Sequence, residues 1–384
     1  MAGFFTAPRI AWGPGAVEQL SGLGARRAIV VVDPAIARHD GHRRVVEELA
    51  KSETAVEVVS DLDDPDGLEA VEGLAGRFVS FAPDWVVAVG GGRTIDGTKA
   101  ARLHAERPDV PIRTVTPVLD LPDPPRTRLV AVPTTSGSGA EASATIDLVS
   151  ADGSPLDLAH RAATPDWALV DPSFAGALPR ELVLDGAFET AAQSLEAYLS
   201  AWSNPFSDAL AVDALATVFE RLPHALRWSD DPDARAALHF AATSAGLASS
   251  NAQRGIAHAL ARSLVGPSGL AYGRLLGIAL APVLEFDRPS ARERLEALAS
   301  TLARPEERTR GPLDARVVHM LETFRVPMTL IAAGVDPARI DAARPRIVAD
   351  VLRSPALLAN PRVASSVEVG ALLDRLLGRG TSRP

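Results

Sequence analysis

Short apolar runs alternate with helical stretches in the first half of the sequence, and this pattern stops in the second half. Residues 27–33, 85–89 and 129–133 are apolar runs that end in, or are followed by, residues that turn a chain at the end of a strand. Such alternation is typical of a parallel sheet whose strands are joined by helices. Later stretches, rich in alanine and leucine, repeat with helical period. The sequence therefore predicts an α/β domain over residues 1–178 and an all-helical domain over residues 179–384.

The composition excludes several classes of protein. The chain has 384 residues, enough for two domains of ordinary size, and its net charge of −9 argues against binding to nucleic acid. No apolar run approaches the roughly 20 residues of a membrane span, and the N-terminus lacks the basic and apolar regions of a signal peptide. Without cysteine, the chain forms neither disulfides nor sites built on thiolates. We expect a cytoplasmic protein that binds neither nucleic acid nor membrane.

A triple glycine follows the second apolar run, in the segment DWVVAVGGGRTIDGTK at residues 84–99. Glycines let a ligand approach the backbone closely, and the free N–H groups at the start of the next helix favour phosphate. Asp96 and Lys99 are spaced along that helix. The G-x-G-x-x-G fingerprint of dinucleotide-binding proteins is absent from this context, so the segment predicts a phosphate site without that fingerprint.

A second polar loop, PTTSGSGAEAS at residues 133–143, follows the third apolar run. Hydroxyl groups and bare backbone at the carboxyl end of a parallel strand suit contacts to adenine, ribose or phosphate. A serine–glycine linker would have a similar composition, but this segment is bounded by a strand and repeats the arrangement of the triple-glycine loop. We therefore expect it to take part in nucleotide binding.

Together the two loops form the pattern GGGxxxDxxK followed further along by PTTxGxGxE. This pattern resembles the iron-containing (group III) alcohol dehydrogenase family, whose fold is related to that of dehydroquinate synthase. The segments GPGAVEQL, PDWALVDP, SNPFSDALAVDAL and GIAHALA, which begin at residues 13, 165, 203 and 255, resemble further parts of the same family. The resemblance implies a dinucleotide-binding domain, a helical domain, a cleft between them, a nicotinamide cofactor and assembly into homo-oligomers.

The resemblance also implies two groups of cofactor contacts. The phosphates and nearby groups fall to Gly90, Gly91, Gly92, Asp96 and Lys99. The adenine, ribose and nicotinamide region falls to Thr134, Thr135, Ser138 and Gly139, with Leu178 beside it.

Asp33 ends the first apolar run, where a carboxylate would bond ribose hydroxyls and repel a 2′-phosphate. We therefore expect NAD rather than NADP as the cofactor. The alternative is that Asp33 is only a turn residue before Pro34. Arg93 departs from the small residue that the family places after its glycines, and it either adds a phosphate contact or crowds the pyrophosphate.

The family binds Fe²⁺ or Zn²⁺ with one Asp and three His of its helical domain, and most of these ligands are missing here. The corresponding positions hold Glu189, Gln193, His258 and Tyr272, and a further histidine expected near the nicotinamide is Arg262. Imidazole is the main nitrogen ligand for these metals, whereas an amide oxygen and an un-ionised phenol are poor replacements. We expect no tightly bound catalytic metal. The alternative is a weak site of Glu189 and His258 that captures a metal only with substrate.

Oxidation of an alcohol without a metal still needs a base for the hydroxyl proton and stabilisation of charge on the oxygen. We expect His258 to be the base and Tyr272 to be a hydrogen-bond donor or proton relay. Gln193 would bond the substrate oxygen. Glu189 would orient His258 or hold a substrate cation, and Arg262 would bind a carboxylate or stabilise an oxyanion. The alternatives are that His258 and Tyr272 are satisfied core residues and that Gln193 only fills the old ligand space.

The leading hypothesis is an NAD-dependent alcohol dehydrogenase that works without a metal on a specialised substrate. The resemblance implies that relatives with altered ligands act in natural-product pathways. One group of them acts in the maturation of daptide-type ribosomal peptides (RiPPs), in which a C-terminal threonine is oxidised and decarboxylated. The partners would be a small-molecule or peptide substrate, further copies of the chain and pathway proteins. Two alternatives stay open: a non-catalytic scaffold subunit that keeps the fold, and a metal-free lyase or cyclase of the dehydroquinate synthase type.

Overall fold

The first half of the chain forms a six-stranded parallel sheet with helices on its faces. The computed structural model describes residues 5–38, 41–62, 64–121, 125–176, 178–227, 231–302 and 313–379. The strands of the sheet are β1 (Arg9–Trp12), β2 (Arg27–Val32), β3 (Ala55–Val59), β4 (Trp85–Gly90), β5 (Arg128–Pro133) and β8 (Trp167–Val170). The helices between them are α1 (Pro34–Ala37), α2 (Arg43–Ala50), α3 (Leu68–Phe81) and α4 (Gly92–Glu106). This is the α/β architecture that the alternating sequence predicts.

The central strands are buried on both faces, which explains their continuous apolar sequences. Residues 86–89 and 129–132 are completely buried, and residues 28–32 are nearly so. Their side chains pack alternately into the two apolar layers beneath the helices. The three predicted apolar runs are thus confirmed as β2, β4 and β5.

The strand order β1-β8-β5-β4-β2-β3 brings the carboxyl ends of β2, β4 and β5 side by side. The chain leaves β2 toward β3 and then returns to place β4 on the other side of β2, so the crevice between β2 and β4 is a switch point at which α/β proteins bind ligands. The backbone ties this edge together, because Asp33 N donates to the Val89 carbonyl (2.9 Å) and Thr134 N donates to the Gly90 carbonyl (3.0 Å). The two polar loops therefore meet at one edge of the sheet.

A separate antiparallel hairpin, β6 (Thr145–Val149) and β7 (Pro155–Ala159), lies outside the main sheet. Its strands are only partly buried, and Asp147 faces Asp157 across the hairpin. Buried Ile146 and Leu148 alternate with partly exposed residues, so the period-2 pattern of a strand is present, but it extends over only five residues and the hairpin is not among the predicted strands. It packs on α4 and is tied by ion pairs to the helical domain.

The second half of the chain is helical throughout its described residues and has its own apolar core. Helix α5 is buried along nearly all of its length, which explains why its sequence is apolar or small around most of its circumference. Helix α9 is kinked at Ala291. No helix in the described part of the chain combines the length and apolar character that a membrane crossing needs. The helices are α5 (Arg180–Leu199), α6 (Pro205–Arg227), α7 (Pro232–Ala252), α8 (Ile256–Ser268), α9 (Tyr272–Leu302), α10 (Leu313–Thr323), α11 (Pro337–Arg353) and α12 (Ser366–Leu377).

Candidate active site

A cleft of about 780 Å³ opens where β2, β4 and β5 end. Arg38 and Arg44 form part of its wall on the side of the α/β half, and Pro179 and Leu182 form part of the opposite wall. The cleft therefore lies between the sheet and the start of the helical half. Five residues expected to contact a cofactor line it, namely Asp33, Gly91, Thr134, Thr135 and Leu178.

The triple glycine brings the bare start of α4 to this cleft. Gly91 precedes the helix, and no described side chain caps it, so the N–H groups of the first turn stay available to a ligand. A Cβ on Gly92 would lie 2.7 Å from the Ser138 Cβ, and one on Gly91 would lie 3.3 Å from the Thr135 side chain. Glycine is required here because the two polar loops are in contact. A bare helix N-terminus beside a cleft of this size fits the pyrophosphate of a dinucleotide.

Asp33 caps α1 and also faces the cleft. Its Oδ1 accepts from Ala35 N (2.8 Å), and its Oδ2 accepts from the Thr94 hydroxyl (3.3 Å). Thr94 fills the space beside Gly90, where a Cβ would lie 2.6 Å from the Thr94 Cβ. The turn role of Asp33 is therefore present, and the same residue lines the cleft.

The structure corrects the expectation for Asp96 and Lys99, which lie on the buried side of α4 and not at the glycine loop. Lys99 is fully buried, and its ammonium donates to Asp96 Oδ1 (2.9 Å). The same group donates to the Thr145 carbonyl (2.9 Å) and the Ser143 hydroxyl (3.2 Å), so its three donors are used within the protein. Asp96 Oδ2 accepts from Asp147 N (3.1 Å). The pair holds the β6–β7 hairpin against α4 and leaves no ammonium donor for a phosphate.

Arg93 follows the glycines but turns away from them. Its Nε donates to Asp66 Oδ1 (2.7 Å), and the same guanidinium pairs with Asp64. Both carboxylates belong to the loop that precedes α3. Arg93 in this arrangement neither contacts a phosphate nor crowds a pyrophosphate. The glycine loop therefore presents its backbone to a ligand.

Gln193, on α5, binds the second polar loop. Its Nε2 donates to the carbonyls of Gly137 and Ser138, each at 2.9 Å. Its Oε1 accepts from the Ser249 hydroxyl (2.8 Å). The expected hydrogen bond from Gln193 to a substrate oxygen is corrected, because this buried amide donates both of its hydrogens to carbonyls of the loop. The Gln193 side chain occupies the position of the family's metal ligand, and there it forms hydrogen bonds to the loop.

The end of this loop packs tightly on α7. Gly139 has a φ of 61°, in the left-handed region that favours glycine. A Cβ there would lie 2.5 Å from the Gly246 Cα. Ser138 and Gly139 do not line the cleft described above, so their observed role is to seat the loop on its neighbours.

His258, in the first turn of α8, is held by the carboxylate of Glu196, a residue outside the predicted catalytic set. Its Nδ1 is hydrogen-bonded to Glu196 Oε2, and Glu196 Oε1 accepts from Ala257 N (2.6 Å). We expected Glu189 to orient His258, but Glu196 does so. A signal was present, because Glu196 follows Gln193 by three positions and therefore shares its face of α5. His258 Nε2 is buried and has no hydrogen-bond partner among the described residues, so His258 is not a satisfied core histidine.

Tyr272 begins α9 and lies beside His258. The two ring centroids are 6.1 Å apart, with the rings inclined at 69°. The Tyr272 hydroxyl is buried without a hydrogen-bond partner in the described residues. Burial raises the pKa of this phenol well above its usual value, against the opposing charge of Arg254. Two neighbouring rings, an imidazole and a neutral phenol, therefore each carry a buried polar atom without a partner in the described residues.

Two arginines of α8 and the turn before it bind the β6–β7 hairpin. Arg262 Nε donates to Asp157 Oδ1 (3.3 Å) and its Nη2 donates to the Leu148 carbonyl (2.5 Å). Its expected role toward a substrate carboxylate or oxyanion is corrected, because the guanidinium is committed to the hairpin. Arg254 forms a bidentate pair with Asp147 at 2.7 and 3.2 Å. No motif in the sequence pointed to Arg254, since its acidic partner is more than a hundred residues away.

The four positions that correspond to metal ligands do not fit a tightly held divalent metal. Burial raises the pKa of Glu189 to about 8, against the opposing charge of Arg254, so this carboxyl is protonated at neutral pH. Gln193 is committed to the loop, and Tyr272 is a neutral phenol. That leaves His258 as one imidazole, and such a donor set is poor for Fe²⁺ or Zn²⁺. In the described residues, no three His, Cys, Asp or Glu side chains lie close enough to hold a metal ion.

Comparison with known proteins gives a consistent result over both halves of the chain. The family model described as "Iron-containing alcohol dehydrogenase" matches residues 7–172. The model described as "Fe-containing alcohol dehydrogenase family, C-terminal" matches residues 187–377.

Individual relatives agree with these matches. The probable alcohol dehydrogenase EutG of Salmonella typhimurium is 30% identical, over 75% of this chain and 71% of its own. The NADPH-dependent butanol dehydrogenase of Clostridium saccharobutylicum is 26% identical, over 96% of this chain and 97% of its own. The solved structure of an iron-containing alcohol dehydrogenase from Thermococcus thioreducens superposes with a TM-score of 0.87 at 26% identity, over 98% of this chain and 99% of that one.

Proposed function

The chain belongs to the iron-containing alcohol dehydrogenase family, and we propose that it oxidises an alcohol with NAD, without a bound metal and with His258 as the proton acceptor. The observation that carries this proposal is the buried Glu196–His258 pair, in which the second ring nitrogen of His258 has no hydrogen-bond partner among the described residues. A nicotinamide cofactor, when bound, supplies the acceptor for the hydride that leaves the alcohol carbon. Everything else that the reaction needs is derived from the residues of the chain.

The cleft supports the choice of cofactor. The bare N-terminus of α4 offers N–H groups to a pyrophosphate, and Thr134 and Thr135 add hydroxyls nearby. The Asp33 carboxylate on the same wall favours ribose hydroxyls and disfavours a 2′-phosphate. We therefore propose NAD for this chain, although the butanol dehydrogenase relative is named for NADPH.

The dyad supports the proton step. Because Glu196 accepts from Nδ1, the Nδ1 atom carries the hydrogen and Nε2 presents its lone pair. His258 Nε2 thus takes the hydroxyl proton as the oxygen becomes a carbonyl. The Tyr272 hydroxyl donates a hydrogen bond to the same oxygen and stabilises the charge that develops on it. In the reverse direction His258 returns the proton.

The donor set supports independence from metal. In a buried site, a hydrogen bond from a neutral phenol acts in a low dielectric and is stronger than it would be in water. Glu189 in its protonated form adds no negative charge that would attract a cation. His258 as a base and Tyr272 as a hydrogen-bond donor would therefore take the place of a metal ion that acts as a Lewis acid.

For the substrate we propose a β-hydroxy acid, such as the C-terminal threonine of a ribosomally made peptide. Removal of hydride and proton from the β-carbon and its hydroxyl gives a β-keto acid. That product loses CO₂ by itself: the electron pair of the broken bond to the carboxyl carbon forms an enol, and the carboxyl proton passes to the ketone oxygen, so no metal is needed for this step. The support is chemical: a site with a base and a neutral donor is sufficient for the oxidation.

The test uses chelator-treated protein, NAD⁺, and two substrate sets, simple alcohols and short peptides that end in threonine. NADH formation without added metal, lost in His258→Ala and kept in the control His319→Ala on the exposed face of α10, is expected. NADH formation that requires Fe²⁺ or Zn²⁺, or that persists in His258→Ala, would overturn the proposal. Bound NAD⁺ that is never reduced by any member of either set would favour a scaffold subunit.

A further inference from the structure

We propose that Gln193 is a positioning residue that latches the cofactor loop, residues 134–139, to the helical half of the protein. The proposal rests on the proposed function, because it assumes that this loop serves a nucleotide. Position 193, where the family places a metal ligand, would in this chain fix the loop of residues 134–139 relative to the triple-glycine loop.

The amide of Gln193 is matched to the loop backbone. The carbonyls of Gly137 and Ser138 accept no backbone hydrogen bond in the described residues, and Gln193 Nε2 supplies one to each at 2.9 Å. A buried carbonyl without a partner is costly, so the loop conformation depends on this one side chain. A neutral histidine at the same position has one ring N–H, since its other ring nitrogen is an acceptor, and would satisfy at most one of the two carbonyls.

Ser249 of α7 sets the direction of the amide. Its hydroxyl donates to Gln193 Oε1 at 2.8 Å, which places the NH₂ group on the side of the loop. Gln193 therefore joins three elements, since it sits on α5, accepts from α7 and donates to the loop. The amide is buried, so these bonds are not exchanged with water.

Close backbone contacts make the latch rigid. A Cβ on Gly137 would lie 2.7 Å from the Gly186 Cα of α5, and a Cβ on Gly139 would lie 2.5 Å from the Gly246 Cα of α7. The loop thus rests directly on two helices, one at each end of the segment that Gln193 holds. Small shifts of either helix would move the loop.

The latch reaches the phosphate edge through Ser138. The Ser138 carbonyl accepts a hydrogen bond from Gln193. The Ser138 side chain packs against Gly92 so closely that a Cβ on Gly92 would lie 2.7 Å from the Ser138 Cβ. Gly92 is the first residue of α4, whose free N–H groups face the cleft. Gln193 therefore fixes the second polar loop against the start of α4 without touching a ligand itself.

The experiment compares Gln193→Glu, which keeps the size but loses the two donors, with Gln19→Glu, the same chemical change at an exposed position. NAD⁺ affinity is measured by calorimetry, and amide hydrogen exchange is followed in residues 134–139. We expect Gln193→Glu to weaken NAD⁺ binding about 10-fold, the equivalent of about 1.4 kcal/mol, and to accelerate exchange in the loop. Gln19→Glu should change neither. Ser249→Ala, a milder second variant, should weaken binding in the same direction by about 2- to 5-fold.

The outcomes separate the two proposals. If wild-type protein does not bind NAD⁺, the proposed function fails. If wild-type protein binds NAD⁺ and both Gln193→Glu and Ser249→Ala bind it equally well, with unchanged exchange in the loop, the latch is overturned. A fall in kcat at saturating NAD⁺ with unaltered NAD⁺ affinity would also contradict it, because a latch acts through the cofactor loop.

Discussion

Glu196 and His258 form a buried pair in which the carboxylate is bound to Nδ1 and the opposite nitrogen, Nε2, has no partner in the described residues. A carboxylate that fixes the tautomer of a histidine prepares the free nitrogen to accept a proton. The pair also caps α8, because Glu196 accepts from Ala257 N (2.6 Å). Orientation of the base and capping of its helix therefore depend on the same side chain.

The first prediction concerns this pair. His258→Ala should lower kcat by about 10²- to 10⁴-fold, since it removes the base. Glu196→Gln should lower kcat by about 10²-fold, because an amide NH₂ facing Nδ1 favours the tautomer that carries its hydrogen on Nε2. Steady-state kinetics on the substrate identified in the peptide and alcohol panel checks both, and NAD⁺ affinity should stay within about 2-fold of wild type. Equal loss of NAD⁺ affinity and of kcat would contradict a role in the proton step.

The second prediction sets function against stability at Tyr272. Its buried hydroxyl has no partner in the described residues, so Tyr272→Phe should raise the free energy of unfolding by about 1 kcal/mol. The same change should lower kcat by about 10²-fold, because a donor to the substrate oxygen is lost. Tyr198→Phe, at the other tyrosine of the chain, is the control and should leave kcat unchanged. Urea unfolding and kinetics measure the pair; a variant that loses stability but keeps kcat would show that Tyr272 is a core residue.

The third prediction tests the seat of α4. A Cβ on Gly97 would lie 1.8 Å from the Pro65 carbonyl oxygen, so Gly97→Ala forces backbone to move and should cost about 3 kcal/mol or more of unfolding free energy. Gly73, in the exposed middle of α3, has no atom of the described residues within 4 Å of such a Cβ, apart from the backbone of its own helix. Gly73→Ala should therefore raise stability by about 0.5–1 kcal/mol. Similar urea midpoints for the two variants would refute this account of the packing between α4 and the loop before α3.

The fourth prediction is a pH dependence of stability. Burial raises the pKa of Asp287 to about 7, against a hydrogen bond from Asn360, and its ordinary value is 3.8. Between these values the unfolded chain has released a proton that the folded chain keeps, so the contribution of Asp287 to stability is lost as the pH rises from about 4 to about 7. Asp287→Asn keeps the oxygen that accepts from Asn360 Nδ2 (2.8 Å) and removes the ionisation.

Unfolding of wild type and Asp287→Asn should therefore be compared at two pH values. At pH 8 the variant should be more stable by roughly 4 kcal/mol, since the pKa rises from 3.8 to about 7 and one pKa unit corresponds to about 1.4 kcal/mol. At about pH 3 the difference should nearly vanish, because the group is then largely protonated in both states. A stabilisation of the same size at both pH values would point to packing and not to ionisation.

The fifth prediction concerns the donor set itself. The triple variant Glu189→Asp, Gln193→His and Tyr272→His restores one aspartate and three imidazoles together with His258. It should bind Zn²⁺ in calorimetric titration, whereas wild type should bind none at this site. Addition of His258→Ala to the triple variant is the control and should abolish the binding. Stoichiometric Zn²⁺ binding by wild type that is lost in His258→Ala would instead show that Glu189 and His258 suffice.

The sequence predicts those parts of the molecule in which chemistry and local pattern coincide. The strands that end at Val32, Gly90 and Pro133 are continuous apolar runs, and the residues after them meet because parallel strands share a carboxyl edge. The hairpin at Thr145–Val149 and Pro155–Ala159 has no continuous apolar run: its strands are five residues long, and besides the buried Ile146 and Leu148 it is held by Lys99 and two arginines from distant parts of the chain.

The roles of individual polar residues were harder to predict than their positions. Lys99 and Arg262 are chemically suited to bind phosphate or carboxylate, but their partners in the fold are a hairpin that the sequence does not reveal. Gln193 was assigned to the substrate because the family places a ligand there, whereas its amide faces loop carbonyls. The role of Glu196 is not predicted although it lies one turn from Gln193, because its partner His258 is on α8 and only the packing of α8 against α5 brings the two side chains together.

The most direct test of the account is a calorimetric titration of NAD⁺ into protein prepared in chelator-treated buffer, repeated after addition of Zn²⁺ and with NADP⁺ in place of NAD⁺. We predict saturable NAD⁺ binding without metal, the same affinity with Zn²⁺, and weaker binding of NADP⁺ because of Asp33. Binding of NAD⁺ only after Zn²⁺ is restored, or no binding under either condition, would contradict a working cofactor site that needs no metal.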